Sequence, residues 1–315
     1  MIAAMNLTTP TLELLHNERM NRHTSWRVGG PADLFFKPTS IESLQDFLQS
    51  LAEETPLLWV GLGSNLLVRD GGVRSAVICT LNLPSAVERV DELQVHVGAG
   101  VPCTVFARQC VRWKLGPAAF FAGIPGTVGG ALAMNAGAFG GETWEHVARV
   151  ETIDRAGVRR SRTPQEFQVG YRSVSGAAAE WFLGANFAFA GDQEADMSDI
   201  KAMLRKRGAA QPVGKLSCGS VFRNPPGQFA AQLIEQAGLK GATSGDAIVS
   251  EKHANFIINR GSATAADIES LIEIVRRRVE ESSGTKLQLE VRIVGETAAR
   301  TVGHAAADSD GARAR

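Results

Sequence analysis

The sequence predicts an α+β protein with two or three domains. Its 315 residues are enough for each domain to bury its own core, and the composition, 44% hydrophobic and 21% charged, is that of a globular protein. Helix-like and strand-like segments follow one another without the strict alternation of a doubly wound sheet. We expect a domain boundary near residues 191–199.

Charge and cysteine content argue against several classes of function. Lys+Arg and Asp+Glu are equal at 33 each, so neither a nucleic-acid groove nor an anionic membrane partner is indicated. Cys79, Cys103, Cys110 and Cys218 form no Cys-x-x-Cys pair, so we expect neither a metal site nor a disulfide framework. The segment MIAAMNLTTP lacks the succession of basic, apolar and small residues that is typical of a secretory signal. A cytoplasmic location is therefore expected. Nothing fixes an oligomeric state, and a monomer is compatible with the sequence.

An uncharged stretch from Leu115 to Gly141 could, by charge alone, pass for a membrane span. It contains eight glycines and two prolines, and a lipid-exposed helix would be broken at these residues. We therefore expect this stretch to belong to a globular domain.

Local patterns predict helices and strands in the first two thirds of the chain. Thr39 and Glu42 form a capping box ahead of an amphipathic helix that runs to Leu51. Pro102 opens a second helix, which Gly116 ends. Strands are expected at 57–60, 66–68, 75–79, 93–97, 147–153 and 181–189, the third and fourth as a pair.

The last third has clearer helix signals. Helices are expected at 199–207, at 229–237 and from Thr264 to Gly284, with strands at 254–258 and 287–294. Gly238 stops the second of these helices, and Thr264 caps the third. From about residue 298 the composition predicts a disordered tail.

Two glycine-rich loops indicate a nucleotide cofactor. We call residues 61–65 (GLGSN) the first glycine loop and residues 123–130 (GIPGTVGG) the second. Backbone N–H groups in such turns can converge on a phosphate, and glycine lets the backbone approach it closely. The first loop is followed by an apparent strand and lacks a third glycine, so it fails the Rossmann test. Either loop alone could be a tight turn that packs strands, but together they favour a dinucleotide.

Eight motifs resemble those of the UDP-N-acetylenolpyruvoylglucosamine reductase family. They occur in family order from about residue 16 to 296 and are highly specific together. They are HTSWRVGGPA at 23–32, GLGSNLL at 61–67, GIPGTVGG at 123–130, NAGAFG at 135–140, GYR at 170–172, SCGSVFRNP at 217–225, VSEKHANF at 249–256 and LEVRIVG at 289–295.

The resemblance implies a fold and a division of the chain. The fold is a two-subdomain FAD-binding fold of the vanillyl-alcohol-oxidase/PCMH type, followed by an α+β substrate-binding domain. The expected limits are 1–90 and 91–195 for the FAD-binding subdomains, 196–297 for the substrate-binding domain and 298–315 for the tail.

The resemblance also implies a reaction. The family reduces the enolpyruvyl ether of UDP-N-acetylglucosamine to the lactyl ether, which gives UDP-N-acetylmuramate for peptidoglycan. NADPH is the expected reductant, and non-covalently bound FAD passes hydride to the vinyl carbon. NADPH preference over NADH is inherited from the family and is not indicated by any residue.

Three residues match the family's catalytic positions. Arg172 is expected to face the substrate carboxylate, Ser220 to protonate C2, and Glu290 to position or polarise the enolpyruvyl group. By pattern alone, Arg172 would be a surface charge, Ser220 a turn residue, and Glu290 part of a solvated strand face at 287–294. Cys218 is a rival acid, because a thiol is intrinsically more acidic than a hydroxyl.

Further residues follow from the same resemblance. Tyr171 and Asn224 are expected to bind the substrate. The expected FAD-binding residues are Gly61, Gly63, Ser64, Asn65, Gly123, Pro125, Gly126, Gly129 and Gly130.

A few other polar residues could contribute to substrate binding or have no assigned role. Lys206 and Arg207 could meet the diphosphate, although basic residues near a helix end are ordinarily solvated. The chain's one tyrosine is Tyr171, so the family form without the extra tyrosine loop fits best. Within the motif at 249–256, no role is assigned to Ser250, His253 and Asn255.

Two other functions compete with the reductase. A flavin oxidase of the same superfamily would leave the motifs around Ser220 and Glu290 without a role, and no histidine lies in either glycine loop to tether FAD. A non-catalytic nucleotide-sugar binder is disfavoured because Arg172, Ser220 and Glu290 are all present.

Overall fold

A computed structural model describes residues 13–84 and 86–298. The N-terminal segment MIAAMNLTTP and, apart from Ala298, the tail predicted as disordered lie outside these residues. Six α-helices are formed within the described residues: α1 Ile41–Ser50, α2 Cys103–Arg112, α3 Val128–Met134, α4 Met197–Ala210, α5 Ala230–Gln236 and α6 Ala265–Ser283. None of the described helices is long and apolar enough to cross a membrane.

The strands are short. Those in the described ranges are β1 Glu13–Arg19, β2 Pro31–Lys37, β3 Leu57–Val60, β4 Leu66–Val68, β5 Val73–Cys79, β6 Val87–Arg89, β7 Gln94–Gly98, β8 Leu115–Gly116, β9 Gly137–Ala138, β10 Gly141–Glu142, β11 Val147–Asp154, β12 Arg159–Arg162, β13 Gln168–Gly170, β14 Ser173–Ser175, β15 Glu180–Ala188, β16 Ala190–Gly191, β17 Thr243–Ser244, β18 Ala247–Val249, β19 Ile257–Asn259 and β20 Arg292–Val294.

The first sheet has the strand order β1-β2-β5-β3, with β2, β5 and β3 parallel. Helix α1 packs on it with a buried face that includes Leu44 and Leu48. The capping box lies one residue later than predicted, because Ser40 is the N-cap and exchanges hydrogen bonds with Ser43. Glu42 lies one residue short of the N3 position from which a side chain reaches back to the cap.

The second sheet is antiparallel, with the order β12-β11-β15-β7-β6. The prediction that the strands at 75–79 and 93–97 pair is wrong. β5 lies in the first sheet between β2 and β3, whereas β7 pairs with β15 in the second. Helix α2 also ends earlier than predicted, at Arg112, because Lys114 adopts a left-handed conformation with φ +60°.

The second glycine loop leads into α3, a helix that the sequence patterns did not predict. Thr127 caps it, since its side chain accepts a hydrogen bond from the Gly130 N–H. Gly129 tolerates close packing: a Cβ there would lie 2.8 Å from the Ala99 Cβ. The helix ends at Asn135, which has φ +47°.

Residues 211–298, here called the C-terminal unit, contain α5, α6 and the small sheet β17-β18-β19. Helix α6 is confirmed, with Thr264 as its N-cap and Gly284 as its C-cap. The predicted strands here are shorter than expected: β19 begins at Ile257, and β20 begins at Arg292. The backbone before Arg292 bonds instead to an irregular segment, for example from Glu290 N to Val221 O at 2.9 Å.

The C-terminal unit is joined to the first sheet region by main-chain and side-chain contacts. β20 pairs in parallel with β4. Trp26, which is 0% exposed, lies in the core of the C-terminal unit and donates from its indole to Ile257 O at 2.8 Å. Arg69 forms a bidentate ion pair with Glu269 at the same junction. Helix α4, in contrast, buries Ile200 in the core of the second sheet.

Candidate functional site

The two glycine loops meet in space. Ser64 Oγ donates to Pro125 O at 2.6 Å, which joins the first loop to the second. A Cβ at Gly61 would lie 2.5 Å from Thr127 Oγ1, and one at Gly126 would lie 2.8 Å from Ser64 Oγ. Side chains at these positions would push the loops apart, so the glycines are needed for this approach.

The loops differ in which backbone N–H groups they leave unpaired. In the second loop, Val128 N donates to Val101 O and Gly129 N to Ala99 O, both at 2.9 Å. In the first loop, the N–H groups of residues 62–65 find no protein acceptor within 13–84 and 86–298. Main-chain binding of a phosphate is therefore open to residues 62–65 of the first loop. In the second loop it is open to Gly126 and Thr127, whose N–H groups also find no acceptor among the described residues.

A cleft of about 460 Å³ opens beside the loops, between the first and second sheets. The residues that line it include Trp59, Gly61, Thr127, Gly129, Gly130, Trp181 and Arg292. Of the nine predicted cofactor residues, Gly61, Gly129 and Gly130 line this cleft. Gly63 and Gly123 instead allow close packing: a Cβ would lie 1.9 Å from His23 O or 2.4 Å from the Phe139 ring.

Sequence reasoning missed several residues of this cleft. Arg292 supplies the cleft with a guanidinium that the second loop lacks, and β4–β20 pairing brings it there. Trp59 and Trp181 stack with ring centroids 5.3 Å apart, and no acceptor among the described residues pairs with the Trp59 indole N–H. From the sequence alone, an aromatic residue in a strand that lines a cleft cannot be distinguished from one that is buried in the core.

Two of the predicted catalytic residues are in direct contact. Arg172 Nε donates to Glu290 Oε1 at 3.1 Å, although the two residues are 118 positions apart. Arg172 also donates to Gly137 O at 3.0 Å and Asn135 O at 3.3 Å. It lies in the two-residue turn of the β13–β14 hairpin and has φ +52°, so the turn geometry aims the guanidinium at these acceptors.

Asn135 holds the hairpin that carries Arg172. Its side chain donates to Gly170 O at 3.2 Å and to Glu142 Oε2 at 2.7 Å. Its left-handed backbone at the end of α3 lets its carbonyl face Arg172. The motif at 135–140 was recognised in the sequence, but this supporting role depends on residues distant in the chain.

Burial raises the pKa of Glu290 above the usual 4.5 of an exposed glutamate, and the nearby charges of Arg172 and Arg223 offset part of that effect. The Glu290 side chain is 14% exposed. Asn65 Nδ2 donates to the Glu290 carbonyl at 3.0 Å, so the first glycine loop also supports this residue.

Ser220 precedes the segment that contacts Glu290. Val221 O accepts from Glu290 N at 2.9 Å, which brings the two chain segments side by side. The rival acid, Cys218, faces away: its thiol is buried, donates to Leu66 O at 3.5 Å and has a pKa raised by burial to about 12. Such a thiol is a weaker acid than an exposed cysteine, which removes the advantage that its chemistry gave it.

The other predicted residues occupy varied settings. Tyr171 is 47% exposed, and its ring centroid lies 5.2 Å from Arg172 Cζ. Asn224 Oδ1 accepts from Ala230 N at 3.0 Å, so it supports the start of α5. Arg207 bonds to Gln211, and burial lowers its pKa, whereas Lys206 is exposed.

Comparison with known proteins identifies the two parts of the chain. Residues 32–161 match the FAD binding domain family, and residues 211–294 match the C-terminal domain of UDP-N-acetylenolpyruvoylglucosamine reductase. A UDP-N-acetylenolpyruvoylglucosamine reductase from Alkalilimnicola ehrlichii is 58% identical over 285 residues, which cover 90% of this chain and 95% of that protein. One from Methylococcus capsulatus is 55% identical over 286 residues, covering 90% and 94%.

A solved structure agrees with these relatives. The crystal structure of UDP-N-acetylenolpyruvylglucosamine reductase from Thermus caldophilus superposes with a TM-score of 0.74 at 32% identity, covering 90% of this chain and 98% of that one. The predicted α+β class, with an FAD-binding domain followed by the C-terminal domain of the reductase family, is confirmed. The chain belongs to the UDP-N-acetylenolpyruvoylglucosamine reductase family.

Proposed function

We propose that this protein reduces UDP-N-acetylglucosamine enolpyruvate to UDP-N-acetylmuramate, a peptidoglycan precursor, with FAD as cofactor and NADPH as reductant. The family supports the reaction, and one observation supports the assignment of residues: Arg172 and Glu290 are in contact at 3.1 Å. The segment that follows Ser220 bonds to the Glu290 backbone. We place the reaction in the cytoplasm, where NADPH and nucleotide sugars occur together.

The residues present fit an FAD molecule. The unpaired N–H groups of residues 62–65 suit its diphosphate. The neighbouring cleft is lined by both polar and aromatic side chains. Arg292 adds a positive charge from the C-terminal unit. FAD, when bound, supplies the hydride that is added at the vinyl carbon. We assign residues 1–90 to the first FAD-binding subdomain and residues 91–195 to the second.

The chain's own residues then have to manage charge and a proton. Hydride addition places negative charge on C2 and the adjacent carboxylate, and the Arg172 guanidinium is a preorganised partner for that charge. Ser220 donates its hydroxyl proton to C2; a serine suffices because a carbanionic carbon is a much stronger base. Glu290 orients Arg172 through their hydrogen bond and polarises the enolpyruvyl group.

Substrate specificity is assigned to the C-terminal unit and the hairpin. Tyr171 is exposed beside Arg172 and can cover the substrate with its ring. Asn224 offers its amide N–H₂ while its oxygen supports α5. The substrate-binding domain is assigned to residues 196–297, although α4 packs on the second sheet.

The experiment that tests this proposal measures NADPH oxidation by the purified yellow protein with and without UDP-N-acetylglucosamine enolpyruvate. We expect oxidation to depend on the enolpyruvate and to yield UDP-N-acetylmuramate in equal amount. NADPH consumption that requires only oxygen would identify a flavin oxidase. Flavin binding without any turnover would identify a non-catalytic binder, and a colourless protein that FAD cannot reconstitute would exclude both flavoenzymes.

A further inference from the structure

The motif at 249–256 contains an asparagine whose side chain holds the segment next to Ser220. Asn255 is 3% exposed. Its Nδ2 donates to Phe222 O at 2.8 Å, and its Oδ1 accepts from Phe222 N at 3.0 Å. Its backbone carbonyl accepts from Val221 N at 2.9 Å. The side-chain amide therefore pairs with both the N–H and the C=O of Phe222, as a residue of a neighbouring antiparallel strand would.

The other edge of the same segment is held by the chain around Glu290. Glu290 N donates to Val221 O, and Arg223 N donates to Gln288 O, both at 2.9 Å. The segment 221–223 thus lies between Asn255 on one side and the residues 288–290 on the other. This arrangement sets the register between Ser220, which precedes the segment, and Glu290.

On its other side, Ser220 is joined through a glycine to the buried Cys218. Gly219 precedes it with φ +75°, and a Cβ at Gly219 would meet no heavy atom within 4 Å. Glycine permits many backbone conformations, so Gly219 can act as a pivot. The position of the Ser220 hydroxyl therefore depends on how firmly Val221 and Phe222 are held.

We propose that Asn255 is a positioning residue that holds Ser220 where it can protonate C2, a role that rests on the proposed function. An amide is suited to this role because one neutral side chain offers both the donor and the acceptor that the backbone C=O and N–H of Phe222 require. Because both bonds are made in a buried place, the loss of either leaves an unpaired polar group on Phe222.

The test separates the two half-reactions by stopped-flow absorbance of the flavin in the holoenzyme. Reduction by NADPH does not use the Ser220 proton, whereas reoxidation by UDP-N-acetylglucosamine enolpyruvate does. In Asn255→Asp, an ionised carboxylate faces Phe222 O and repels it. We expect reoxidation to slow by at least about tenfold, as small displacements of a reacting group can cause. Reduction by NADPH should stay within about twofold of wild type.

The pH dependence gives a signature that a merely structural role would not. Burial raises the pKa of a carboxyl introduced at this place, and below that pKa its O–H can donate to Phe222 O as the amide does. The reoxidation rate of Asn255→Asp relative to wild type should therefore recover as the pH falls. The titratable or charged groups on the segments that pack around Asn255 are His253, Arg223 and Glu290. The wild type carries the same groups, so dividing by its rate at each pH corrects for their effect.

Asn259 provides a matched control. It is 4% exposed, donates to Trp26 O at 2.9 Å and accepts from Gly261 N at 2.8 Å, without bonding to the segment 221–223. Asn259→Asp should leave the ratio of the two half-reaction rates unchanged at every pH. If Asn255→Asp does not fold, Asn255→Ala keeps the backbone bond to Val221 and should show the same selective loss, without recovery at low pH.

The outcomes distinguish the two proposals. Equal slowing of both half-reactions, or no slowing of reoxidation, would overturn the positioning role of Asn255 alone. A wild-type enzyme whose reduced flavin is not reoxidised by the enolpyruvate would overturn the proposed function, and the role of Asn255 with it. Selective slowing with recovery at low pH supports both.

Discussion

At the scale of single residues, Arg172 carries the most demanding geometry. Its guanidinium bonds to a carboxylate and to two backbone carbonyls at once, those of Asn135 and Gly137. A lysine ammonium keeps the charge but cannot reproduce this planar fork. Arg172→Lys should lower kcat/KM for the enolpyruvate by about 10²-fold or more while FAD remains bound. Steady-state kinetics and the flavin spectrum check this, and a lysine variant within about twofold of wild type would show that charge alone suffices.

At Glu290, a substitution is expected to affect stability and activity in opposite directions. Its folded-state pKa is raised, so its ionised form destabilises the folded protein above that pKa, and this effect disappears below the pKa of the unfolded chain. Glu290→Gln removes the titrating group. We expect its melting temperature at pH 8 to equal or exceed that of wild type, while turnover falls by about 10²-fold or more. A lower melting temperature at pH 8 would mean that the pair with Arg172 outweighs the cost of burial.

At the scale of elements, the first glycine loop depends on Gly63. Gly63 has φ +60°, and a Cβ there would lie 1.9 Å from His23 O. Gly63→Ala should therefore lower the free energy of unfolding by about 1–3 kcal/mol and weaken FAD binding, because the N–H groups of 62–65 would shift. Chemical denaturation and FAD titration of the apoprotein measure both effects.

Gly191 supplies the control for that substitution. A Cβ at Gly191 meets no heavy atom within 4 Å, and its backbone conformation lies outside the left-handed region. Gly191→Ala should change the free energy of unfolding by no more than about 0.5 kcal/mol and leave FAD affinity unchanged. Equal effects of the two alanine variants would contradict the packing account of Gly63.

Elements with local signals could be predicted, and those set by distant contacts could not. Helix α6 has a cap at Thr264, an apolar stripe and a stop at Gly284, and all three lie in one stretch of sequence. Helix α3 has two glycines near its start, which local propensity counts against a helix. Thr127 caps the helix, and its Gly129 lies close to Ala99, a tertiary contact that no local pattern reveals.

In the molecule as a whole, the C-terminal unit is joined to the first sheet region by several contacts. Asp70 accepts from Ala265 N and Ala266 N at the start of α6, each at 2.9 Å. Asp70→Ala should lower the free energy of unfolding by about 0.5–2 kcal/mol, as the loss of a helix cap does. Urea denaturation of the holoenzyme measures this. An unchanged midpoint would show that the other junction contacts, such as β4–β20 pairing, Trp26 and the Arg69–Glu269 ion pair, hold the unit in place without Asp70.

The site itself is assembled from parts that lie far apart in the chain. Family motifs predicted Arg172, Ser220 and Glu290 as catalytic residues. Hydrophobic periodicity alone placed Glu290 on a solvated strand face, whereas the structure shows its side chain 14% exposed beside Arg172. Arg292, Asn135 and the hydrogen bonds of Asn255 are positioned only by tertiary contacts. Sequence therefore indicated the chemistry, and folding determined the supporting residues.

In the proposed reaction, Ser220 protonates C2 after hydride transfer. The most direct test reduces the flavin of wild type and Ser220→Ala with NADPH without oxygen, and then adds UDP-N-acetylglucosamine enolpyruvate. We predict that both proteins are reduced at similar rates, and that reoxidation with formation of UDP-N-acetylmuramate is at least about 10²-fold slower in Ser220→Ala. Reoxidation of Ser220→Ala at the wild-type rate would show that a group other than Ser220 protonates C2.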